Sequence, residues 1–414
     1  MKVLNSGNAI LLMLLVLLSA SCNGPGGQTQ AKTIITFPKG SYGHDADFLK
    51  KTTAGFVELS AANGQSKIFI SSDYQGRVMT STASGDSGTS FGWINYGLLE
   101  SGKKKAQFNP VGGEERFWLG PEGGQFGLYF KKGDSFNIAH WQVPAVIDSV
   151  AFDLVSSSAS SAVFAKHATL VNYSGAVFQV DIKRAVSLLD KDSVSRFLHI
   201  AIPEDIRLVA YSSANQITNT GDLAWKKEQG LLSMWLLGMM TPSDQTIVII
   251  PFHPATDARS LITDNYFGKI PPDRLVVKDS ILYFKCDGKS RGKIGISPQI
   301  AGSIAASFDF KKNVLSLIAF PVEPNGRYVN SKWEMQKQPY RGDVVNSYND
   351  GPLADGTQMG PFYEIESSSD AKELNPGQSA GYRQMTCHLQ GSYESLRELT
   401  RKLLGVDLEN IKKM

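Results

Sequence analysis

The stretch VFQVDI, residues Val177–Ile182, carries the pattern that decides the fold of this chain. Its apolar side chains alternate with Gln179 and Asp181, which places apolar and polar groups on opposite faces of an extended segment. Such alternation is typical of a half-buried β-strand. Similar β-type stretches recur along the sequence: KIFIS at 67–71, TIVII at 246–250 and VLSLIAF at 314–320.

Turn-forming residues separate these predicted strands. Clusters of Gly, Asn, Asp and Pro lie at 172–175, 220–222, 287–288, 324–326 and 349–352. Short strands separated by turns at this spacing indicate an antiparallel sheet and not an alternation of strands and helices. We therefore predict an all-β, mainly antiparallel fold in the form of a large sandwich. A single helix is predicted from Tyr393 to Leu404, where leucines recur at helical spacing and Gly405 supplies a stop.

The N-terminus has the features of an export signal. The apolar run at 9–18 is too short to cross a bilayer, and small residues at 19–21 lead from it into Cys22. This arrangement resembles the bacterial lipoprotein box, which implies removal of residues 1–21 and attachment of a lipid to Cys22. An ordinary secretory signal followed by an incidental cysteine is the alternative.

Residues 22–32 are rich in Gly and polar side chains and are interpreted as a flexible tether, and residues 33–414 as one domain. The formal net charge is only +3, with basic and acidic residues intermixed, so no nucleic-acid partner is expected. No zinc-type spacing of Cys and His occurs, and the sequence does not decide whether Cys286 and Cys387 pair. Carboxylates and amides would suit calcium, but no EF-hand-like spacing exists. We predict no metal site and no cofactor.

The segment GGEERFWLGPEGGQ, residues Gly112–Gln125, is the strongest candidate for a ligand site. Between two glycine pairs it holds three carboxylates, one guanidinium and one indole: Glu114, Glu115, Glu122, Arg116 and Trp118. Aromatic faces cover the apolar C–H patches of a sugar ring, while carboxylates and arginine bind its hydroxyls. The composition of this segment predicts a carbohydrate ligand.

Four further segments share this polar and aromatic character: 74–77, 215–225, 328–352 and 360–377. The candidate ligand contacts that they add are Arg77, Trp333, Arg341 and Asp350. In the last segment Glu364 and Glu366 are separated by one residue, so they lie on the same face of an apparent strand. Chemistry at the anomeric carbon of a sugar needs two carboxyl groups, or a carboxylate and a histidine, as acid and base.

Each of these side chains also has a structural interpretation. The tryptophans would be explained by packing in the core or at a sheet edge. Glu114, Glu115 and Arg116 would be explained as a cluster of ion pairs on the surface. Glu364 and Glu366 would suit the wet face of an edge strand, and Asp343 and Asp350 would suit turns. The density of such segments, more than any single residue, favours a polar cleft.

Two motifs resemble the galactose mutarotase-like superfamily. GGEERFWLGPEGG is similar to a Gly-Gly, Arg, Trp and Pro-Glu pattern of uncharacterised mutarotase relatives, and the tail YEIESSSDAKELNPGQS resembles the mutarotase ending, with its turn at 374–377. The chain as a whole resembles a family of exported bacterial lipoproteins of unknown function. The resemblance implies a galactose mutarotase-like β-supersandwich whose concave face binds a sugar.

In active aldose 1-epimerases of this superfamily, a glutamate near the last strand is the base and a histidine is the acid. By position, Glu366 matches that glutamate, Glu364 is second, and Arg116 matches an arginine that contacts the sugar. The histidine motif of the superfamily, which ends in Tyr-Phe-Asn-Leu, has no counterpart here. His167 lies in the corresponding part of the chain, and His140 precedes Trp141 after the glycine-rich segment.

The leading hypothesis is a lipid-anchored protein of the bacterial cell envelope that binds or processes a carbohydrate. An active aldose 1-epimerase with a glutamate base is the first alternative. A glycoside-cleaving or lyase enzyme that pairs Glu114 or Glu115 with Glu366 is the second.

Overall fold

Antiparallel strands are the main regular structure of the computed structural model, which describes residues 36–412. The strands are β1 (Phe56–Ser60), β2 (Lys67–Ser71), β3 (Arg77–Thr82), β4 (Arg116–Gly120), β5 (Asp153–Ser157), β6 (Ser161–Val171), β7 (Val177–Leu189), β8 (Arg207–Asn219), β9 (Ser233–Met240), β10 (Thr246–Pro251), β11 (Ile262–Thr263), β12 (Leu275–Lys278), β13 (Ile281–Lys285), β14 (Gly292–Ile296), β15 (Ile304–Asp309), β16 (Val314–Ala319), β17 (Val345–Asn349), β18 (Tyr363–Ser368) and β19 (Ser379–Gln390). The predicted all-β, mainly antiparallel fold class is confirmed.

Five short α-helices accompany the strands in the described part of the chain: α1 (Tyr42–Thr52), α2 (Tyr96–Ser101), α3 (Lys191–Leu198), α4 (Tyr393–Leu404) and α5 (Leu408–Ile411). Single 3-10 turns lie at Ala145–Ile147 and Ala258–Leu261. The predicted C-terminal helix is confirmed as α4, which ends at Gly405 with φ of 69°. The sequence analysis did not anticipate α1, whose buried Tyr42, Ala46 and Leu49 face the small sheet of β1 to β3.

Two large sheets form the sandwich, and a three-stranded sheet, β1-β2-β3, adjoins them. One large sheet has ten strands in the order β12-β13-β10-β15-β16-β19-β8-β7-β6-β5. The other has six, in the order β11-β14-β17-β18-β9-β4. Side chains connect their inner faces: the hydroxyls of Ser307 and Tyr363 lie 2.8 Å apart, and Ser367 donates to Gln384 at 2.6 Å.

The alternation that opened the sequence analysis is visible in β7. Phe178, Val180 and Ile182 are buried, whereas Gln179 and Asp181 are exposed. The other three predicted strands correspond to β2, β10 and β16. Burial of alternate side chains holds β7 in register, because a slip of one residue would expose its apolar face, whereas β2, β10 and β16 are buried on both faces.

The six-stranded sheet carries polar side chains on the face that points away from the ten-stranded sheet. Glu366 of β18 pairs with Asn346 of β17 on one side and with Leu237 of β9 on the other, and Leu237 pairs in turn with Arg116 of β4. Residues directly opposite each other share a face. Glu364 and Glu366 therefore lie on one face of a central strand, and not on an edge strand.

Residues from Phe37 onward form one compact unit. The predicted signal peptide, the tether and the lipidation site Cys22 lie outside the described residues. Between residues 36 and 412 the structure contains no helix that is long and apolar enough to span a membrane. Cys286 and Cys387 are both buried free thiols.

Candidate functional site

A cavity of about 700 Å³ opens on the polar face of the six-stranded sheet. This volume lies within the range of about 300–1,000 Å³ that is typical of small-molecule sites. Its aromatic and charged lining residues are Glu122, Trp235, Tyr266, Phe267, Arg291, Lys293, Lys332, Trp333, Asp343 and Asp350, with Lys105 and Glu334.

Trp235 and Lys293 form the floor of the cavity above Glu366. The Oε2 atom of Glu366 accepts one hydrogen bond from the Nε1 of Trp235 and one from the Nζ of Lys293, both at 2.9 Å. The ammonium of Lys293 lies 4.7 Å from the centre of the Trp235 ring, a cation–π distance. Glu366 itself is fully buried beneath these two side chains.

A second buried ion pair lies beside Glu366. The Nη2 of Arg116 donates to Glu364 at 2.7 Å, and the guanidinium sits 4.1 Å from the centre of the Trp118 ring. Burial raises the pKa of the Glu364 carboxyl. The positive charge of Arg116 opposes this rise, and the neighbouring Glu366 adds to it. Each of the two adjacent carboxyl groups is thus held by a cation, Glu364 by Arg116 and Glu366 by Lys293.

Glu122 forms part of the cavity wall, in the loop that follows β4. Its Oε1 accepts a hydrogen bond of 2.7 Å from the indole Nε1 of Trp141, whose ring stacks on Trp333 with 5.9 Å between centres. Burial raises the pKa of Glu122, and the nearby ammonium of Lys293 opposes that rise. The carboxyl group of Glu122 thus lies beside a stacked pair of tryptophan rings.

Asp343 and Asp350 line the cavity near β14 and β17. The hydroxyl of Tyr266 donates to Asp343 at 2.5 Å, and that of Tyr348 donates to Asp350 at 2.6 Å. Burial raises the pKa of Asp343, and the hydrogen bond from Tyr266 lowers it. Neither aspartate is a simple turn former, because each is held by a tyrosine.

Three of the predicted ligand contacts lie in the interior, away from the cavity. Arg77 is fully buried and donates to the carbonyl of Gly112 at 2.9 Å, and burial lowers its pKa to about 9. Glu115 pairs with Arg184 at 2.7 Å, both side chains being fully buried. Burial raises the pKa of Glu114 to about 8. The surface ion-pair interpretation of Glu114, Glu115 and Arg116 is therefore wrong.

Four other candidates do not line the cavity. Trp118 is only 3% exposed and packs beneath the floor, 5.6 Å from Trp235 between ring centres. His167 points to solvent on β6 and pairs with Asp181 at 2.7 Å. His140 is exposed, with its Nδ1 3.0 Å from the hydroxyl of Ser135, and Arg341 is exposed in a loop.

Trp333, Glu122 and Asp350 are the predicted contacts that line the cavity, and Glu366, Glu364 and Arg116 lie just beneath it. Sequence reasoning missed Trp235, Tyr266, Arg291 and Lys293. A signal for the last two was available in RGKIGI, residues 291–296, where one cation precedes an otherwise apolar strand and a second follows two positions later. Within residues 36–412, no cluster of three Asp, Glu, His or Cys side chains is arranged to hold a metal ion.

The fold and the cavity together define an antiparallel β-supersandwich with a polar site on one sheet. The chain belongs to DUF6786, a family of unknown function, whose model matches residues 40–414. Among proteins with curated descriptions, none matches the sequence.

The solved structures that resemble this chain include galactose mutarotase-like proteins. One, from Lactobacillus casei ATCC 334, is 11% identical with a TM-score of 0.47, and the match covers 81% of this chain and all of that one. A galactose mutarotase related enzyme from Lactobacillus acidophilus is 11% identical, with a TM-score of 0.44 and coverage of 80% and 97%. A protein from Synechocystis sp. PCC 6803 is 11% identical, with a TM-score of 0.49 and coverage of 81% and 96%.

Proposed function

We propose that the cavity on the six-stranded sheet binds a carbohydrate. The observation that carries this proposal is the convergence of aromatic faces and fixed polar groups on one cavity. Trp235 and Trp333 present rings, while Glu122 and Lys293 present a carboxylate and an ammonium between them. A pyranose needs both kinds of surface, since its C–H faces are apolar and its hydroxyls are directional donors and acceptors.

The site supports ligand binding more strongly than epimerisation through Glu366. The Oε2 of this carboxylate is already occupied by Trp235 and Lys293, and the side chain is fully buried. A general base must come within hydrogen-bond reach of the proton that it removes. Glu366 is better placed to hold the side chains of Trp235 and Lys293 in position. His140 and His167, the two candidates for the acid, are directed to solvent.

A thermal-shift screen of the purified full chain tests the binding proposal. The probes are glucose, galactose, maltotriose, cellotriose and trigalacturonate. At concentrations well above Kd, at least one probe should raise the midpoint of unfolding by a few degrees, because a ligand that binds only the native state stabilises it. Trp333→Ala should lose that shift. Leu223→Ala, a change at a residue 78% exposed and outside the cavity, should retain it.

A flat response to all five probes would contradict the binding proposal. So would a shift that survives Trp333→Ala unchanged, because the ligand would then lie somewhere other than against this ring.

Catalysis is a second candidate, favoured by two carboxyl groups that line the cavity directly. Burial raises the pKa of both Glu122 and Asp343, which is the direction of shift that general acid catalysis by a carboxyl group requires. Anomeric equilibration of galactose and release of reducing ends from maltotriose are the assays. Glu122→Gln or Asp343→Asn should abolish either activity. Equal rates with and without protein would exclude both reactions for these substrates.

We further propose that the chain is exported and held at the bacterial cell envelope by a lipid on Cys22. The support is the short apolar run, the small residues and the cysteine that follows them. Expressed in bacteria, the full chain should fractionate with membranes, and Cys22→Ser should move it to the soluble fraction. Identical fractionation of the two forms would contradict lipid anchoring.

A further inference from the structure

The cavity contains positive charges that have no carboxylate partner. Arg291, Lys332 and Lys105 all line it, and none of them forms an ion pair with any residue between 36 and 412. Lys293 differs, because its ammonium is held by Glu366. Cations in a site that lack a protein counter-ion are available to an anionic ligand.

Arg291 is held in place without using its guanidinium fork. Its Cζ lies 3.9 Å from the centre of the Phe267 ring, and its Nε donates to the hydroxyl of Tyr348 at 3.3 Å. Among the described residues, none accepts a hydrogen bond from either Nη atom. A stacked guanidinium with two free, parallel N–H groups fits the two oxygens of a carboxylate or sulfate.

Three of the four acidic residues of the cavity are already engaged by neutral donors, and the fourth, Glu334, is exposed at its edge. Trp141 donates to Glu122, Tyr266 donates to Asp343, and both Tyr348 and the backbone N–H of Gly360 donate to Asp350. These contacts fix the carboxylates at the wall, where they still accept from sugar hydroxyls. None of these three carboxylates pairs with Arg291, so its two Nη atoms are free for a ligand.

Arg291 and Lys293 also act from one side of the cavity. Arg291 directly precedes β14, Lys293 is the second residue of that strand, and both side chains line the cavity. Lys332 approaches from the loop that carries Trp333. An anionic group bound at Arg291 would therefore lie close to the aromatic surface that receives the sugar ring.

We propose that this site selects acidic carbohydrates, with the guanidinium of Arg291 binding a carboxylate or sulfate on the sugar. The inference rests on the proposed carbohydrate-binding function and adds the chemical class of the ligand. Arg291 is its specificity residue, Phe267 and Tyr348 are its positioning residues, and Lys332 and Lys105 supply further positive charge.

Calorimetric titration of the full chain with two matched ligand pairs tests the inference. Trigalacturonate against its methyl ester changes only the carboxylates, and galactose 6-sulfate against galactose changes only the sulfate. At least one acidic member should bind about tenfold or more tightly than its neutral partner, since hydrogen bonds to charged groups are the stronger kind. The pair that shows the difference identifies the anion.

Variants then assign the preference to Arg291. Arg291→Gln should reduce the affinity for the acidic ligand to that for its neutral partner, with binding of the neutral partner retained. Arg291→Lys should retain only part of the preference, because an ammonium lacks the planar fork. Arg207→Gln removes an exposed guanidinium on β8, outside the cavity, and should leave the preference unchanged.

Equal affinity of the wild-type chain for both members of both pairs would overturn the acidic-ligand inference and leave carbohydrate binding intact. A preference that survives Arg291→Gln at full size would overturn the role of Arg291. Absence of binding to all four ligands, together with a flat thermal screen, would instead remove the proposed function itself. The wild-type comparison of matched pairs needs no variant, so it stands even if a substitution impairs folding.

Discussion

At the scale of single residues, the charged groups of Gly112–Gln125 divide between two places. Glu114 and Glu115 enter the interior between the sheets, Arg116 reaches Glu364, and Glu122 stands in the cavity wall. The sequence indicated that these residues form a polar cluster. It could not indicate their partners, because those lie far along the chain, 248 residues away for Arg116 and Glu364.

The buried pair of Glu115 and Arg184 should be costly to break. Glu115 also accepts a hydrogen bond from the side-chain amide of Gln384 at 2.8 Å. Glu115→Gln therefore removes the negative charge that faces Arg184 and introduces an amide donor among groups that are themselves donors. Loss of one partner from a buried pair typically costs about 3–5 kcal/mol. Urea unfolding should show this loss, whereas Glu398→Gln, at an exposed pair with Lys402, should cost less than about 1 kcal/mol. Similar costs for the two variants would contradict the structural role of Glu115.

The stability of the protein should depend on pH through Glu114. Burial raises the pKa of Glu114 from its usual 4.5 to about 8, so the native state keeps a proton that the unfolded chain loses. The contribution of Glu114 to the free energy of unfolding therefore falls as the pH rises from about 4.5 to 8. His388, 3.7 Å away, acts in the opposite sense at lower pH, because burial lowers its pKa from 6.5 to about 3. Between pH 6.5 and 8, Glu114 is the one of these two residues that makes the free energy of unfolding depend on pH.

Glu114→Gln should remove that dependence. The free energy of unfolding of the variant, minus that of the wild type, should rise between pH 6.5 and 8 with a slope approaching about 1.4 kcal/mol per pH unit. Urea unfolding at half-unit pH steps measures it. Glu100→Gln removes a carboxyl group from an exposed position of α2 and is the control. A difference that does not change with pH would contradict a protonated Glu114 in the native state.

At the scale of elements, periodicity along the sequence predicted several strands and one helix. The 177–182 stretch falls in β7, which has one buried and one exposed face, the 67–71 stretch falls in β2, and the leucine stripe at 393–404 is α4. Helix α1 was not predicted, since its apolar positions are few and its stability comes from packing on the small sheet. Strands that are apolar on both faces, such as β9 with the sequence SMWLLGMM, carry no alternation that would separate a floor residue such as Trp235 from a core residue.

The end of α4 gives a prediction at this scale. Gly405 has φ of 69°, in the left-handed region, and its N–H donates to the carbonyl of Arg401. A side chain disfavours that conformation, so Gly405→Ala should lower the free energy of unfolding by about 1 kcal/mol. Gly405→Asn should cost less, because asparagine tolerates the left-handed region. Equal effects of alanine and asparagine would show that backbone conformation is not the reason for glycine at this position.

At the scale of the whole molecule, the cavity exists because strands distant in sequence lie side by side. Lys293 of β14, Glu366 of β18 and Trp235 of β9 meet across three different strands of the six-stranded sheet. Patterning along the chain predicted the fold class and several walls of the site. It could not predict the strand order, and therefore could not show that the two predicted histidines would face solvent while Lys293 and Arg291 face the cavity.

The central claim is that this cavity binds a carbohydrate, and a crystal structure of the full chain soaked with trigalacturonate tests it most directly. The expected result is electron density for a sugar ring against Trp333, with its hydroxyls near Glu122 and a carboxylate near Arg291. Clear density for the ligand at another surface, with this cavity empty, would contradict the claim.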